Sequence, residues 1–511
     1  MKIFQKLLEV SHSTNLLDAF LFENMHTLNE FYNSDFACIA DSRDLIEQFM
    51  LSNVKILHEL DYSKTYNRAF VLILLDFCER FNFIACTPII YYLFEQNGIR
   101  IGLRLQAALL FLYPKPTSNS ELVDRFDCIC ERIQGAIEIE EDSDKKAIAT
   151  FLSYYAVIIN DTRLVFAEQA RTKIKHAVDN HLYAFLSNSI VGEALSFDLL
   201  DSQLAFVQIQ QLVDKVLNKN IKDHISQFDY EDIIIEEGTT YVNELNKVHA
   251  SFNSIRRISV DRSDGKAFTN RGVKILESET ELYGYLRRFG NMHEAKIKHA
   301  LSCLPHTFVK KVNVVDWGCG QGLASMVLLD KYGSQPFNDI VLIEPSEVAL
   351  KRAALHVSKY EPRLPIRTVC KKLDDLTERD LANKKAGITI HLFSNILDID
   401  DYSLAKLTEL IVKSQLGNNY FVCASPYIDD IKTDKLDSFR RFFEKSIPSS
   451  FNLLLEETTT KSTEDEFWLC NNNKDKTHIT HGGFLNCNEY SKTGGCSNKW
   501  TRVIRVFTIT L

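Results

Sequence analysis

Val314-Val315-Asp316-Trp317-Gly318-Cys319-Gly320-Gln321-Gly322-Leu323-Ala324-Ser325 decides how the second half of the chain is read. The apolar run Val312–Asp316 is expected to form a strand that delivers the chain to a tight turn, and a helix over about 323–332 should follow. Gly318, Gly320 and Gly322 leave no side chains where a ligand must lie against the backbone. Asp316, two residues before the first glycine, stands at the strand end, where it can receive a cation or orient the turn. The glycine spacing discriminates between ligands. A dinucleotide fold calls for G-x-G-x-x-G, which brings a pyrophosphate to a helix N-terminus. Here the third glycine comes one residue early and Leu323 fills the dinucleotide position, which disfavours an NAD-dependent oxidoreductase.

Working outward, apolar strands alternate with helical segments. Strands are expected at Val312–Asp316, Ile340–Glu344, Ile366–Leu373, Ile388–Phe393 and Tyr420–Ala424, with helices over about 323–332, 346–360 and 402–416. Two further strands are expected at Phe451–Glu456 and Arg502–Leu511, separated by a polar insertion at about 460–498. Upstream, Ser278 with Glu281 three residues later reads as a capping box that opens a helix reaching about Leu304. The pattern predicts an α/β fold: a doubly wound, mostly parallel sheet over residues 278–511. Glu344 closes the second strand, 22 residues beyond Gly322. An ionised carboxylate only accepts hydrogen bonds, so this acid suits a pair of ribose hydroxyls.

D-x-G-x-G-x-G followed by that acid resembles motif I of the class I S-adenosylmethionine-dependent methyltransferases. The resemblance covers under half the chain. It implies a Rossmann-like methyltransferase domain with S-adenosyl-L-methionine as cofactor. The loop of Asp316, Gly318, Cys319, Gly320 and Gly322 would wrap its methionine part, and Glu344 would bind the ribose. An acid after the third strand, Asp374 with Asp375 beside it, would meet the adenine amino group. The fourth strand ends in His391-Leu392-Phe393-Ser394-Asn395-Ile396-Leu397-Asp398, where the family places the motif that faces the transferred methyl, and Asn395 is the cofactor-binding candidate there. This is not the Asn-Pro-Pro-Tyr/Phe signature of enzymes that methylate base amino groups, so the departure leaves the acceptor open.

Residues 1–225 belong to no family that we recognise. Their apolar residues recur at helical spacing in Phe4–Phe22, Leu45–Leu60, Ala69–Phe83 and Ile99–Tyr113, so an all-α domain is expected. Residues 226–277 change character. Ile233–Ile235, Arg256–Val260 and Val273–Leu276, with the Asp264-Gly265 turn signal, are expected as a small β connector. The 511 residues exceed what one core usually holds. Charge is uneven: residues 1–270 carry 26 basic and 38 acidic side chains, a net of −12, and residues 271–511 carry 33 and 30, a net of +3. An acidic half is a poor general phosphate binder, so nothing here signals nucleic-acid binding strongly. The 12 cysteines are scattered and read as reduced thiols. With no apolar run of spanning length and no cleavage signature at the N-terminus, a cytoplasmic protein without membrane partners is expected.

Two functional readings follow. One is methyl transfer from S-adenosylmethionine to an unidentified acceptor, whether RNA, protein or small molecule. The other is a catalytically silent cofactor-binding module whose helical domain binds a protein partner. Asp398, Asp400, His391 and Tyr427 are candidate bases, but none has a distinguishing context and no catalytic residue is assigned. No metal is expected: Cys470, His478, His481, Cys487 and Cys496 lack the tight ligand pairs of structural zinc sites.

Overall fold

The computed structural model describes residues 3–34, 36–114, 116, 118–138, 144–217, 240–263, 275–381, 387–460 and 501–511. The chain divides into two compact units, one of residues 1–221 with 428–434, the other of residues 222–427 with 435–511.

Every described element within residues 1–221 is helical. Its first core gathers around the helix Thr65–Phe81, where Phe77 meets Phe4, Phe31 and Tyr32 in edge-on ring contacts. A second core lies between the helices Asp144–Asp161 and Ser202–Leu217 and their neighbours. The oily run around Ala69–Phe77 carries one acid, Asp76, which is 1% exposed. Its carboxylate is matched by Arg80, 2.8 Å away, and by Arg104. Glu79 stands 3.4 Å from Arg104 in the same buried group. The two guanidinium groups hold Asp76 well below the usual carboxylate range against the cost of its burial, whereas burial pushes Glu79 up to about 7. Among the described residues no helix is long and apolar enough to cross a membrane.

The second unit holds a seven-stranded sheet: β1 (Val312–Trp317), β2 (Phe337–Ile343), β3 (Ile366–Val369), β4 (Gly387–Ser394), β5 (Gly417–Ser425), β6 (Asn452–Thr459) and β7 (Arg502–Thr510). Their spatial order is β3-β2-β1-β4-β5-β7-β6. The first five are parallel, β7 runs antiparallel to β5, and β6 to β7. This is the Rossmann-like, mostly parallel sheet expected of the methyltransferase resemblance, preceded by an all-helical region. Side chains alternate between two buried faces. Val312, Val314, Ile340 and Leu342 enter a core on one face, and Val315, Trp317, Val341 and Ile343 enter an aromatic core on the other. Burial on both faces explains why these strands are continuously apolar. Strand order reverses between β1 and β4, so the crevice beyond their C-terminal ends is where ligands bind in open α/β sheets.

Two expectations are corrected. The Arg256–Val260 stretch is not a strand but lies in the helix Phe252–Arg262, and a second helix covers Thr240–Lys247. Ser251 caps the former by accepting from Ser254 N, and its buried Phe252, Ile255 and Ile258 recur every three residues, which is a helical period. The other parts of the supposed connector, Ile233–Ile235 and residues 264–274, lie outside the described residues. So do most of the polar insertion and all five zinc candidates. The third strand is also shorter than expected. It ends at Val369, where it accepts the last ladder bond from Glu344 N at 3.1 Å, and the next N–H on that edge of the neighbouring chain, Ser346 N, turns instead to Glu344 Oε1 at 3.0 Å.

Candidate cofactor-binding site

β1 delivers Asp316 and Trp317 to the turn. Asp316 is fully buried, and its Oδ2 accepts from Ser325 N at 3.2 Å and Ser325 Oγ at 2.7 Å, tying the strand end to the helix Leu323–Tyr332. Its Oδ1 has no hydrogen-bond partner, and burial pushes its carboxyl up to about 7. Asp316 therefore orients the turn rather than meeting a ligand. Gly318, Gly320 and Gly322 all have left-handed φ, +60°, +52° and +77°. A Cβ on Gly322 would lie 3.2 Å from Ala353 Cβ, so this glycine permits close packing of the helix Glu347–Tyr360. A Cβ on Gly320 would meet no atom within 4 Å. It would project into open space, in a cavity of about 1240 Å³ that includes its mouth.

The loop is anchored from behind. Gln321 Nε2 donates to Leu282 O at 2.9 Å, and Gln321 O accepts from His356 Nδ1 at 2.8 Å. Burial pulls His356 down to about 3, so the ring is neutral. Its Nε2 then accepts from Tyr241 Oη at 2.6 Å. The helix at 240–247, missed in the sequence, thus braces the glycine loop.

Gly318, Cys319, Gly320, Glu344 and Asn395 all line the cavity. Cys319 is buried, which pushes its thiol up and keeps it protonated. Glu344 accepts from Gly320 N and Ser346 N, each at 3.0 Å, through different oxygens. A carboxylate has about four lone-pair sites, so two remain for ligand hydroxyls. Burial pushes its carboxyl up to about 7. Asn395 has a left-handed φ of +57° and donates its N–H to Ala424 O at 2.8 Å, which fixes it at the end of β4.

Asp374 departs from expectation. It is exposed, does not line the cavity, and accepts from Ser403 N at 2.8 Å at the start of the helix Leu404–Ser414. Because β3 ends early, Lys371, Lys372 and Leu373 reach the cavity in its place. His391 is a satisfied core histidine. Its Nδ1 accepts from Trp317 Nε1 at 3.2 Å and its Nε2 donates to Asn419 Oδ1 at 3.1 Å. Neither it nor Asp398, Asp400 or Tyr427 lines the cavity. The wall includes instead Tyr285, His293, Asp401 and Tyr402. Tyr285 and His293 stand on the helix Glu279–Ser302 that the Ser278 capping box predicts, whereas Asp401 and Tyr402 carry no local sequence signal, and the fold brings that helix and the segment after β4 together.

The state of Glu344 sets a pH dependence. Ribose hydroxyls donate to the ionised form, so binding favours loss of its proton. Affinity for S-adenosylhomocysteine is expected to fall as pH drops below about 7, approaching tenfold per pH unit. Glu344→Gln should flatten this dependence and weaken binding about tenfold at pH 8, since a neutral amide accepts through one oxygen only. Calorimetry from pH 6 to 8 checks both, and an unchanged slope in the variant would remove Glu344 from the ribose role.

No protein-family model and no curated protein matches the chain. Among solved structures, the chain is similar to the plantazolicin methyltransferase BpumL in complex with SAH, at 13% identity over 43% of this chain and 84% of that one, with a TM-score of 0.25. It is similar to a chain in the complex of the Haloferax volcanii Trm112 methyltransferase activator with a methyltransferase, at 15% identity over 43% and 92%, TM-score 0.28. A SAM-dependent methyltransferase from Leishmania major matches at 9% identity over 57% and 99%, TM-score 0.27.

Proposed function

We propose that the cavity binds S-adenosylmethionine and that the protein transfers its methyl group to an acceptor. The observation that carries this reading is the open space in front of Gly320, beside a half-buried Glu344 that lines the same cavity with two acceptor sites not used by Gly320 N or Ser346 N. The glycine loop would hold the methionine part and Glu344 the ribose. When bound, this cofactor supplies a methyl group on a positively charged sulfur, open to displacement by a nucleophile. The chain's own work is positioning and exclusion of water. Leu286, Ile396, Ile399 and Tyr402 supply apolar wall, and the Asp316–Ser325 and Gln321–His356 contacts keep the loop from shifting.

The acceptor class stays open among RNA, protein and small molecule. The helical unit is read as the surface that docks the acceptor or a protein partner, so removing it should impair acceptor recognition more than cofactor affinity. Incubation of the full chain with cell extract and cofactor labelled on its methyl tests the activity. Label on an acceptor that depends on an intact Gly320 supports the transferase. Binding of S-adenosylhomocysteine without any transfer would favour the silent module.

A further inference from the structure

Beside the cavity, three side chains form a hydrogen-bonded chain whose polarity is set at one end. Lys296 Nζ donates to Asn395 Oδ1 at 2.8 Å, and Asn395 Nδ2 lies 3.1 Å from His293 Nδ1 and 3.2 Å from Ser394 Oγ. Lys296 is 1% exposed and His293 7%. An ammonium donates and never accepts, so the amide oxygen must face Lys296 and the amide NH₂ must face the ring. This settles the orientation that an isolated amide would leave ambiguous. The two amide hydrogens go to Ser394 Oγ and to His293 Nδ1. Nδ1 is therefore the lone-pair nitrogen, and the ring's hydrogen sits on Nε2. Tyr285 Oη, 3.3 Å from the same Nδ1, is a second donor to it. Phe289 stacks on the ring with planes 14° apart. A second proton on Nδ1 would point at the amide hydrogens. Burial and the Lys296 charge add to that cost and hold the ring well below the usual histidine range.

We propose that Lys296 and Asn395 are positioning residues that hold His293 as a neutral Nε2–H hydrogen-bond donor at the cavity wall, so that the ring is not the proton acceptor of the reaction. The proposal rests on the methyltransferase reading for its chemical meaning. An acceptor reacting here must arrive with a free lone pair, or lose its proton to something other than His293. Lysine, amide and imidazole come from two elements, residues 99 and 102 apart in sequence.

The test uses the full chain with ¹⁵N-labelled histidine rings, read by long-range proton–nitrogen correlation without ligand, and His293→Gln assigns the signal. The wild-type ring should show hydrogen on Nε2 alone from pH 5.5 to 8. Asn395→Asp keeps the size, the Lys296 partner and a residue type that tolerates a left-handed backbone, but it sets an acceptor-only carboxylate against Nδ1. The ring should then carry hydrogen on Nδ1 and titrate at or above the ordinary value of about 6.5. A wild-type ring with hydrogen on Nδ1 or a second proton in that range, or a wild-type pattern in Asn395→Asp, overturns the proposal. Should that variant not fold, Lys296→Met serves in its place. The freed amide should give a mixture of the two tautomers, and one unchanged tautomer counts against the relay. Failure of the wild type to bind S-adenosylhomocysteine would instead count against the proposed function, leaving the ring measurement intact.

Discussion

Gly320→Val should abolish binding of S-adenosylhomocysteine, by a hundredfold or more, while the chain stays folded. The added Cβ meets no protein atom within 4 Å, so the branch point itself displaces nothing in the apo fold. The cost to folding is limited to placing a branched residue at φ +52°, about 1–2 kcal/mol. The cost to binding is larger, because the side chain occupies the space the ligand needs and disturbs the Gly320 N–H that orients Glu344. A hundredfold loss corresponds to about 2.7 kcal/mol. Gly322→Val is the opposite control: its Cβ would press on Ala353, so it should lower the melting temperature first. Calorimetry and thermal melting on both variants separate the two effects. Retained affinity in Gly320→Val would show that the ligand does not lie against this loop.

The second large effect lies in the helical unit. Arg104 is 3% exposed and serves Asp76, Glu79 and Thr150, the last at 3.0 Å. Arg104→Met leaves two buried acids to share Arg80. Breaking a buried ionic group from one side costs about 3–5 kcal/mol, which should lower the melting temperature of this unit by about 10 °C. The sign with pH follows from Glu79. Its carboxyl is already up at about 7 in the native state, and losing a cation raises it further. The native variant then binds more protons than the unfolded chain over a wider range, so its stability falls as pH rises through that range. The deficit should be greater at pH 8 than at pH 6, and Glu79→Gln in the same chain should recover part of it. Thermal melts at the two pH values check this, and a deficit independent of pH would mean that Glu79 does not take up the proton.

The glycine loop and Glu344 were legible because their signals are local: a spacing within seven residues, and an acid one strand–helix–strand unit away. The doubly wound sheet was legible because strands buried on both faces are continuously apolar. Asp374 was misplaced because the end of β3 depends on its neighbour, where Ser346 N turns to the Glu344 carboxylate instead of continuing the ladder, and no property of the 366–375 stretch shows that. Arg256–Val260 was misread as a strand because five residues are too few to separate a period of two from one near 3.6, and the capping Ser251 lay outside the window. Asn395 was legible as a candidate at the end of the fourth strand, but its contact with His293 was not, since only the fold joins the two.

The raised carboxyl of Glu344 makes ligand capture a source of acid. Below about pH 7 the free site carries a proton there, and hydroxyls that donate to the carboxylate force it out. Each binding event then hands up to one proton to the surrounding buffer. The heat measured near pH 6.5 should therefore change with the buffer's own ionisation enthalpy, larger in one that absorbs protons exothermically, and the difference should vanish at pH 8.5, where no proton is left to release.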